Sequence, residues 1–126
     1  MIQFKTNLTK YNWNISVYIV LDKSDLYKID NLLYKLPYYK NMMYRLTKFK
    51  NSGFSYSTPH NSIIAIGVQD SISDFIDTFN HEKNHIETYI GDYYDISYES
   101  EEFSILSGYL AKKLFSDLIN QLILIK

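Results

Sequence analysis

The stretch SISDFIDTFNHEKNHIETY, residues 71 to 89, decides the fold. It begins with Ser71-Ile72-Ser73-Asp74, a capping box in which a hydroxyl at the N-cap and a carboxylate three residues later satisfy free backbone N–H groups. Apolar residues then recur at helical spacing, at Phe75, Ile76, Phe79, Ile86 and Ile90. We therefore expect a central helix from about Ile72 to Tyr89, with this apolar side in the core.

The same helix carries the motif His81-Glu82-x-x-His85. Residues four apart lie on one face of a helix, so both imidazoles can direct a ring nitrogen to one point, as a tetrahedral Zn²⁺ requires. Glu82 is rotated by about 100° from His81, where it can act as a base beside the metal without binding it. The alternative is a polar helix face with two unrelated histidines, a pattern that is rare by chance in a chain with three His and five Glu. The motif therefore predicts a zinc site with Glu82 as the general base.

The elements before this helix follow from apolar periodicity and turn residues. We expect one strand before the first helix, and Ser24 or Asp25 as the N-cap of that helix. Thr58 to Asn61 are expected to form the turn of a hairpin. The predicted elements are a strand over 13–21, helices over 26–36 and 38–49, and hairpin strands over 52–57 and 62–68.

After the central helix, Gly91 is expected to open a loop over 91–100. A last helix runs from roughly Glu101 to Leu122, with a buried stripe at Phe103, Leu106, Leu110, Leu114, Leu118 and Leu122. This order predicts one α+β domain over residues 1–126, in which helices pack on a small, mostly antiparallel sheet.

Composition excludes several classes of protein and site. There is no cysteine, so any metal must be held by His and carboxylate side chains. The net charge is -1, which does not favour nucleic acid as a partner. No apolar run is long enough to span a membrane, and the first residues lack the apolar core of a signal peptide. We therefore expect the chain to act in the cytoplasm.

The third metal ligand is expected among the acidic residues that open the last helix, Glu101 and Glu102. Glu102 lies on the apolar side of the first turns, whereas Glu101 shares a face with Ser104 and Gly108, where small residues would let two helices approach closely. These arguments point to different residues, and both remain candidates. The alternative is that these carboxylates only stabilise the helix N-terminus through its dipole.

The His-Glu-x-x-His motif, followed on a later helix by EEFSILSG (101–108), resembles the zincins, and among them the gluzincin-like group. The resemblance covers residues 52–110, and the layout is similar to that of small HExxH proteins of gut Bacteroidetes and their phages. It implies a zincin-like fold with Zn²⁺ on His81, His85 and either Glu101 or Glu102.

The resemblance also implies a zinc-dependent metallopeptidase. Glu82 would be the general base, and an edge strand, 52–57 or 62–68, would hold an extended peptide substrate by backbone pairing. A Tyr or His often stabilises the developing oxyanion in such enzymes, and the candidates are His60, Tyr93, Tyr94 and Tyr98.

The alternative function is a zincin-like domain without turnover that binds a partner, for example as a structural or interaction component of a phage, in which case it could be virion-associated. The small size of the chain and the charge of Lys83 inside the motif favour this alternative. The apolar C-terminal segment LINQLILIK (118–126) is a candidate surface for a protein partner, or else the end of a core helix.

Overall fold

The computed structural model describes residues 1–124 and is an α+β fold with one small four-stranded sheet and four helices in that part of the chain. A short 3-10 helix, Thr9–Tyr11, joins the first two strands. The strands are β1 (Ile2–Leu8), β2 (Trp13–Ile19), β3 (Gly53–Thr58) and β4 (Asn61–Ile66). The helices are α1 (Asp25–Leu33), α2 (Tyr39–Lys48), α3 (Ile72–Tyr93) and α4 (Glu101–Leu124).

The sheet is mixed, with the strand order β1-β2-β4-β3. The pairs β1–β2 and β3–β4 are antiparallel, whereas β2 and β4 run parallel. Strand β3, which follows the connection through α1 and α2, runs opposite to β2. The β3–β4 hairpin then reverses the chain, so β4 lies parallel to β2. The predicted α+β class and the hairpin at Thr58–Asn61 are confirmed, but the sheet is not purely antiparallel.

Strand β1 was missed by the sequence prediction, although its sequence alternates strictly. Ile2, Phe4, Thr6 and Leu8 are buried, and the residues between them are exposed. This is the period of two that a half-buried strand shows. The signal was therefore present in the sequence, and β1 forms one edge of the sheet.

Each face of the sheet is covered by one pair of helices. The side with Trp13, Ile15 and Val17 packs against α3 and α4, and α3 lies over β3 and β4 whereas α4 lies over β1. The other side packs against α1 and α2 in a second cluster that includes Phe54 and Ile29. The arrangement has three layers, and α3 packs both on the sheet and against α4, which lies beside it in the same layer.

Two helix ends differ from the prediction for clear physical reasons. Ser24 makes no side-chain cap on α1. Asp25 is instead the first residue of the helix, and its buried carboxylate accepts the backbone N–H groups of Leu21 at 2.9 Å and Asp22 at 3.3 Å. These bonds, the one from Leu21 foremost, lower the pKa of the Asp25 carboxyl despite its burial.

Helix α3 begins as predicted but continues through Gly91 to Tyr93. The Ser71 hydroxyl accepts the Asp74 backbone N–H at 3.1 Å, which confirms the cap. Gly91 does not end the helix. It lies against the ring of Phe103, and a Cβ atom on Gly91 would lie 2.8 Å from Phe103 Cε2. The glycine thus provides a close approach between α3 and α4.

The apolar stripes were predicted largely correctly. Leu106, Leu110, Leu114 and Leu118 are buried along α4. Ile76 and Leu122, which were expected in the core, are exposed. No helix within residues 1–124 is both long and apolar enough to cross a membrane.

Candidate functional site

The candidate site lies on the middle of α3, on the side of the helix that borders β3. The Ser71 cap fixes the start of α3, and packing on β3 and β4 fixes its position. A site on such a supported helix holds its side chains more accurately than a site on a loop.

The imidazoles of His81 and His85 are exposed and converge. Their Nε2 atoms lie 3.1 Å apart, and their rings meet edge to face with centroids 4.7 Å apart. Two nitrogens on one tetrahedral zinc, each about 2.0–2.1 Å from the metal, would be separated by roughly 3.3 Å. The two Nε2 atoms could therefore occupy two of the four coordination positions of a zinc ion with little adjustment. Without a metal, one Nε2–H can donate a hydrogen bond to the other Nε2.

Glu82 is turned toward the sheet and lies about 60° around the helix axis from His85. Its side chain is buried, and with His85 it lines a cavity of about 320 Å³ alongside β3. The other residues of the cavity are Arg45, Phe54, Ser55, Ser57 and Tyr89. A buried carboxylate beside an exposed imidazole has a position from which it can accept a proton in a sheltered site.

Lys83, the residue that appeared unsuited to the motif, is also buried. Its Nζ lies 3.7 Å from Oε1 of Glu87, and both side chains are almost fully enclosed. Lys83 is two residues from His81, which is about 200° around the helix, so its charge is directed away from the histidines. The charge of Lys83 is therefore matched within α3 and does not oppose a cation at His81 and His85.

The structure does not bring Glu102 to the histidines. Glu102 lines a different cavity with Lys10, Tyr11 and Tyr94, near the connection of β1 to β2. The cavity of His85 borders β3, the opposite edge of the sheet, and three strand spacings span roughly 14 Å. Glu101 is exposed beside Glu102 at the start of α4.

Within residues 1–124, no group of three or more His, Asp or Glu side chains is close enough together to hold a metal ion. The described residues thus supply the two histidines and the neighbouring Glu82. A third protein ligand from Glu101 or Glu102 stays a prediction.

The four oxyanion candidates lie near the end of α3 and not beside His85. His60 Nδ1 donates to the Asn12 carbonyl at 2.8 Å, so its Nε2 accepts from the Tyr93 hydroxyl at 3.1 Å. Tyr93 lies eight residues after His85, a rise of about 12 Å along the helix. His60 and Tyr93 also contact Trp13 edge to face or at a tilt, which makes them part of an aromatic cluster.

The other two tyrosines have local partners as well. The Tyr94 hydroxyl donates to the Tyr11 carbonyl, and the Tyr98 hydroxyl donates to the Asp92 carboxylate. The bond to Asp92 raises the pKa of Tyr98. The structure therefore brings His60 and Tyr93 together, but it places none of the four in the cavity of Glu82 and His85.

Sequence reasoning missed three polar residues of that cavity. Ser55 and Ser57 alternate along β3, and alternation could have placed both on the face toward α3. Arg45, the one arginine of the chain, comes from α2. Its place beside β3 depends on how α2 returns to the sheet, and no local pattern in the sequence records that.

Comparison of the chain with protein-family models, curated proteins and solved structures found no match. The likeness to the gluzincin-like group therefore rests on the motif and its spacing. The zincin-like fold stays a prediction beyond the α+β class.

Proposed function

We propose that the chain is a small zinc-dependent peptidase, with the metal on His81 and His85 and with Glu82 as general base. One observation carries the proposal. The two Nε2 atoms lie 3.1 Å apart, and Glu82 lines the same cavity as His85. These three residues thus combine a site for a cation with an adjacent proton acceptor.

The reaction divides between the metal and the chain. Zinc, when bound, would supply a Lewis acid that activates water and polarises a carbonyl. Glu82 would accept the proton of the attacking water and pass it to the leaving amine. Burial of Glu82 beside the sheet limits competing solvent.

The proposed substrate is a peptide in extended form along β3. β3 is an edge strand, and Thr58 and Asn61 close its hairpin as a pair around a two-residue turn. Along β3, the backbone N–H and C=O groups of alternate residues point to β4 and away from it. Those of Ser55 and Ser57 point away from β4, to the free edge of the sheet. A substrate strand could pair with them beside His85. Arg45 would add a cation that suits a carboxylate of the substrate.

Glu101 and Glu102 remain the candidates for the third ligand. In the arrangement described, either one would have to reach the β3 edge by movement of the first turn of α4. Otherwise water or the substrate would complete the coordination of the zinc.

Zinc binding is tested by elemental analysis and calorimetry of the purified chain. We expect about one zinc per chain, lost in His81→Ala and His85→Ala but retained in Asn84→Ala. Asn84 is exposed on the same helix between the two histidines, so it is a matched control. Glu101→Ala and Glu102→Ala, measured in parallel, identify the third ligand. A folded wild-type chain that takes up no zinc would refute the metal site.

Hydrolysis is tested with a library of peptides and zinc-loaded protein. Glu82→Gln should keep the fold and the zinc and lower the rate by about 10²–10⁴-fold, as expected for loss of a positioned base. Equal rates for this variant and wild type would refute the role of Glu82. Zinc binding without cleavage of any peptide would favour the alternative, a metal-binding interaction domain.

A further inference from the structure

An apolar surface lies at the end of the molecule opposite to the aromatic cluster of His60 and Tyr93. A groove of about 400 Å³ is lined by Leu21 after β2, by Ile72 at the start of α3 and by Leu122 near the end of α4. Ile2, Ile19 and Phe75 form much of its floor. The site proposed above contributes no residue to this groove.

The surface extends beyond the groove along both helices. Ile76 lies one turn after Ile72 on α3, and Ile119 and Ile123 lie next to Leu122 on α4. Together with Leu21, these aliphatic side chains are between 40% and 80% exposed. We call the six residues Leu21, Ile72, Ile76, Ile119, Leu122 and Ile123 the apolar end surface.

The exposed area lies at the upper end of what a monomer shows. The six exposed fractions are equivalent to between three and four fully exposed aliphatic residues. At the lower end of the 150–250 Å² that aromatic side chains bury, this is on the order of 500–600 Å². The largest apolar patch on a typical monomer covers about 300–600 Å². A standard stable interface buries about 600–1,000 Å² on each partner. The apolar end surface therefore approaches the smallest area that one half of a standard dimer interface buries.

The shape of the surface also suits pairing with itself. Ile72 borders the groove and is the most exposed of the six residues, so one face carries both a cavity and a projecting side chain. In a two-fold dimer, the same patch of each copy meets the other, and a projection of one copy can enter the groove of its partner. Lys23 and Asp70 line one adjoining cavity, so the rim carries both signs of charge.

We propose that the chain forms a two-fold homodimer through the apolar end surface, with Ile72 of each copy inserted into the groove of the other. A flat lipid surface is less suited, because it offers no groove to receive Ile72, and the rim carries Asp70 as well as Lys23. The dimer is independent of zinc, since the histidines lie elsewhere on α3.

The test is sedimentation equilibrium of the full-length chain over roughly 1–200 µM, where an interface of this size commonly associates. Wild type should shift from monomer to dimer in this range. Ile72→Glu should raise the dimer Kd by about 100-fold or more, because it places a charge in a buried apolar contact.

Tyr27→Glu is the matched control. Tyr27 is 78% exposed, Ile72 is 80% exposed, and each lies in the first turn of its helix, but Tyr27 is on α1 across the sheet. Thermal unfolding of each variant verifies the fold. Dimerisation of wild type and Tyr27→Glu, with loss in Ile72→Glu, supports the proposal.

Three results would overturn it. The first is a wild-type chain that stays monomeric over the whole range. The second is equal weakening of the dimer by both substitutions. The third is a monomer that floats with anionic lipid vesicles, which would assign the apolar end surface to a membrane.

Discussion

Replacement of Gly91 by Ala tests how α4 packs on α3. Gly91 has helical geometry within α3, and a Cβ atom there would lie 2.8 Å from Phe103 Cε2 and 3.1 Å from Phe103 Cδ2. Ordinary contacts between carbon atoms are about 3.5–4.0 Å long. The Phe103 ring, which also packs against Tyr98 with centroids 5.2 Å apart, must therefore shift.

Two effects of opposite sign decide the change in stability. Ala is the better helix former by roughly 0.8–1.0 kcal/mol in a helix interior, and by less near a helix end, where Gly91 lies. Insertion of a methyl group into a packed contact costs about 1–3 kcal/mol. We expect Gly91→Ala to lower the free energy of unfolding by roughly 0.5–2 kcal/mol. The melting temperature should fall by about 3–4 °C per kcal/mol in a chain of this size.

Gly108→Ala is the control, because Gly108 also lies within a helix but has no atom within 4 Å of its would-be Cβ. The free energy of unfolding of this variant should rise by roughly 0.5–1 kcal/mol. Urea unfolding measures both variants. In a Phe103→Ala background, Gly91→Ala should no longer destabilise. Equal stabilisation by the two glycine substitutions would refute the packing of Phe103 on Gly91, and with it the position of α4.

Three further predictions concern buried polar groups. Hydrogen bonds to the Asp25 carboxylate lower its pKa in the folded state. The stability that this carboxylate contributes is therefore present above the pKa of the unfolded state and is lost as the pH falls through the lower pKa of the folded state. In Asp25→Asn, the free energy of unfolding in urea should depend less on pH between about pH 5 and 2. Lys83→Met should lower the free energy of unfolding by about 3–5 kcal/mol, because it leaves the buried Glu87 carboxylate without its partner. The double variant Lys83→Met/Glu87→Leu should recover most of this loss, which a double-mutant cycle measures. Ser62→Ala should cost about 1–3 kcal/mol in thermal unfolding, since the Trp13 indole N–H, 2.9 Å from Ser62 Oγ, loses its acceptor.

The fold was predictable where a local signal dictates the structure. The Ser71 cap, the helical period of α3 and the turn between Thr58 and Asn61 all appear as expected. The parallel pairing of β2 with β4 was not predictable in this way. It follows from the connection through α1 and α2 to β3 and from the hairpin that then reverses the chain into β4, so that segments more than 40 residues apart become neighbours. Periodicity within either strand carries no information on that pairing.

Part of the candidate site was predictable for the same reason. The convergence of His81 and His85 depends only on helical spacing, and the structure has it at 3.1 Å. The distance from the histidines to Glu102 depends on which side of α3 packs against α4. Spacing along the sequence cannot determine that side. Arg45 enters the cavity through tertiary packing alone.

The position of α4 sets the conditions under which a glutamate could still reach the histidines. Leu106, Leu110, Leu114 and Leu118 are buried, and their exposure would cost about 1.5–3 kcal/mol each, which approaches the stability of a whole domain. Movement of all of α4 to the histidine side is therefore excluded on energetic grounds. Unwinding of its first turn costs much less, since it loses mainly the half-buried Phe103 and a few terminal hydrogen bonds. If Glu101→Ala or Glu102→Ala weakens zinc binding, the bound state must have this first turn unwound.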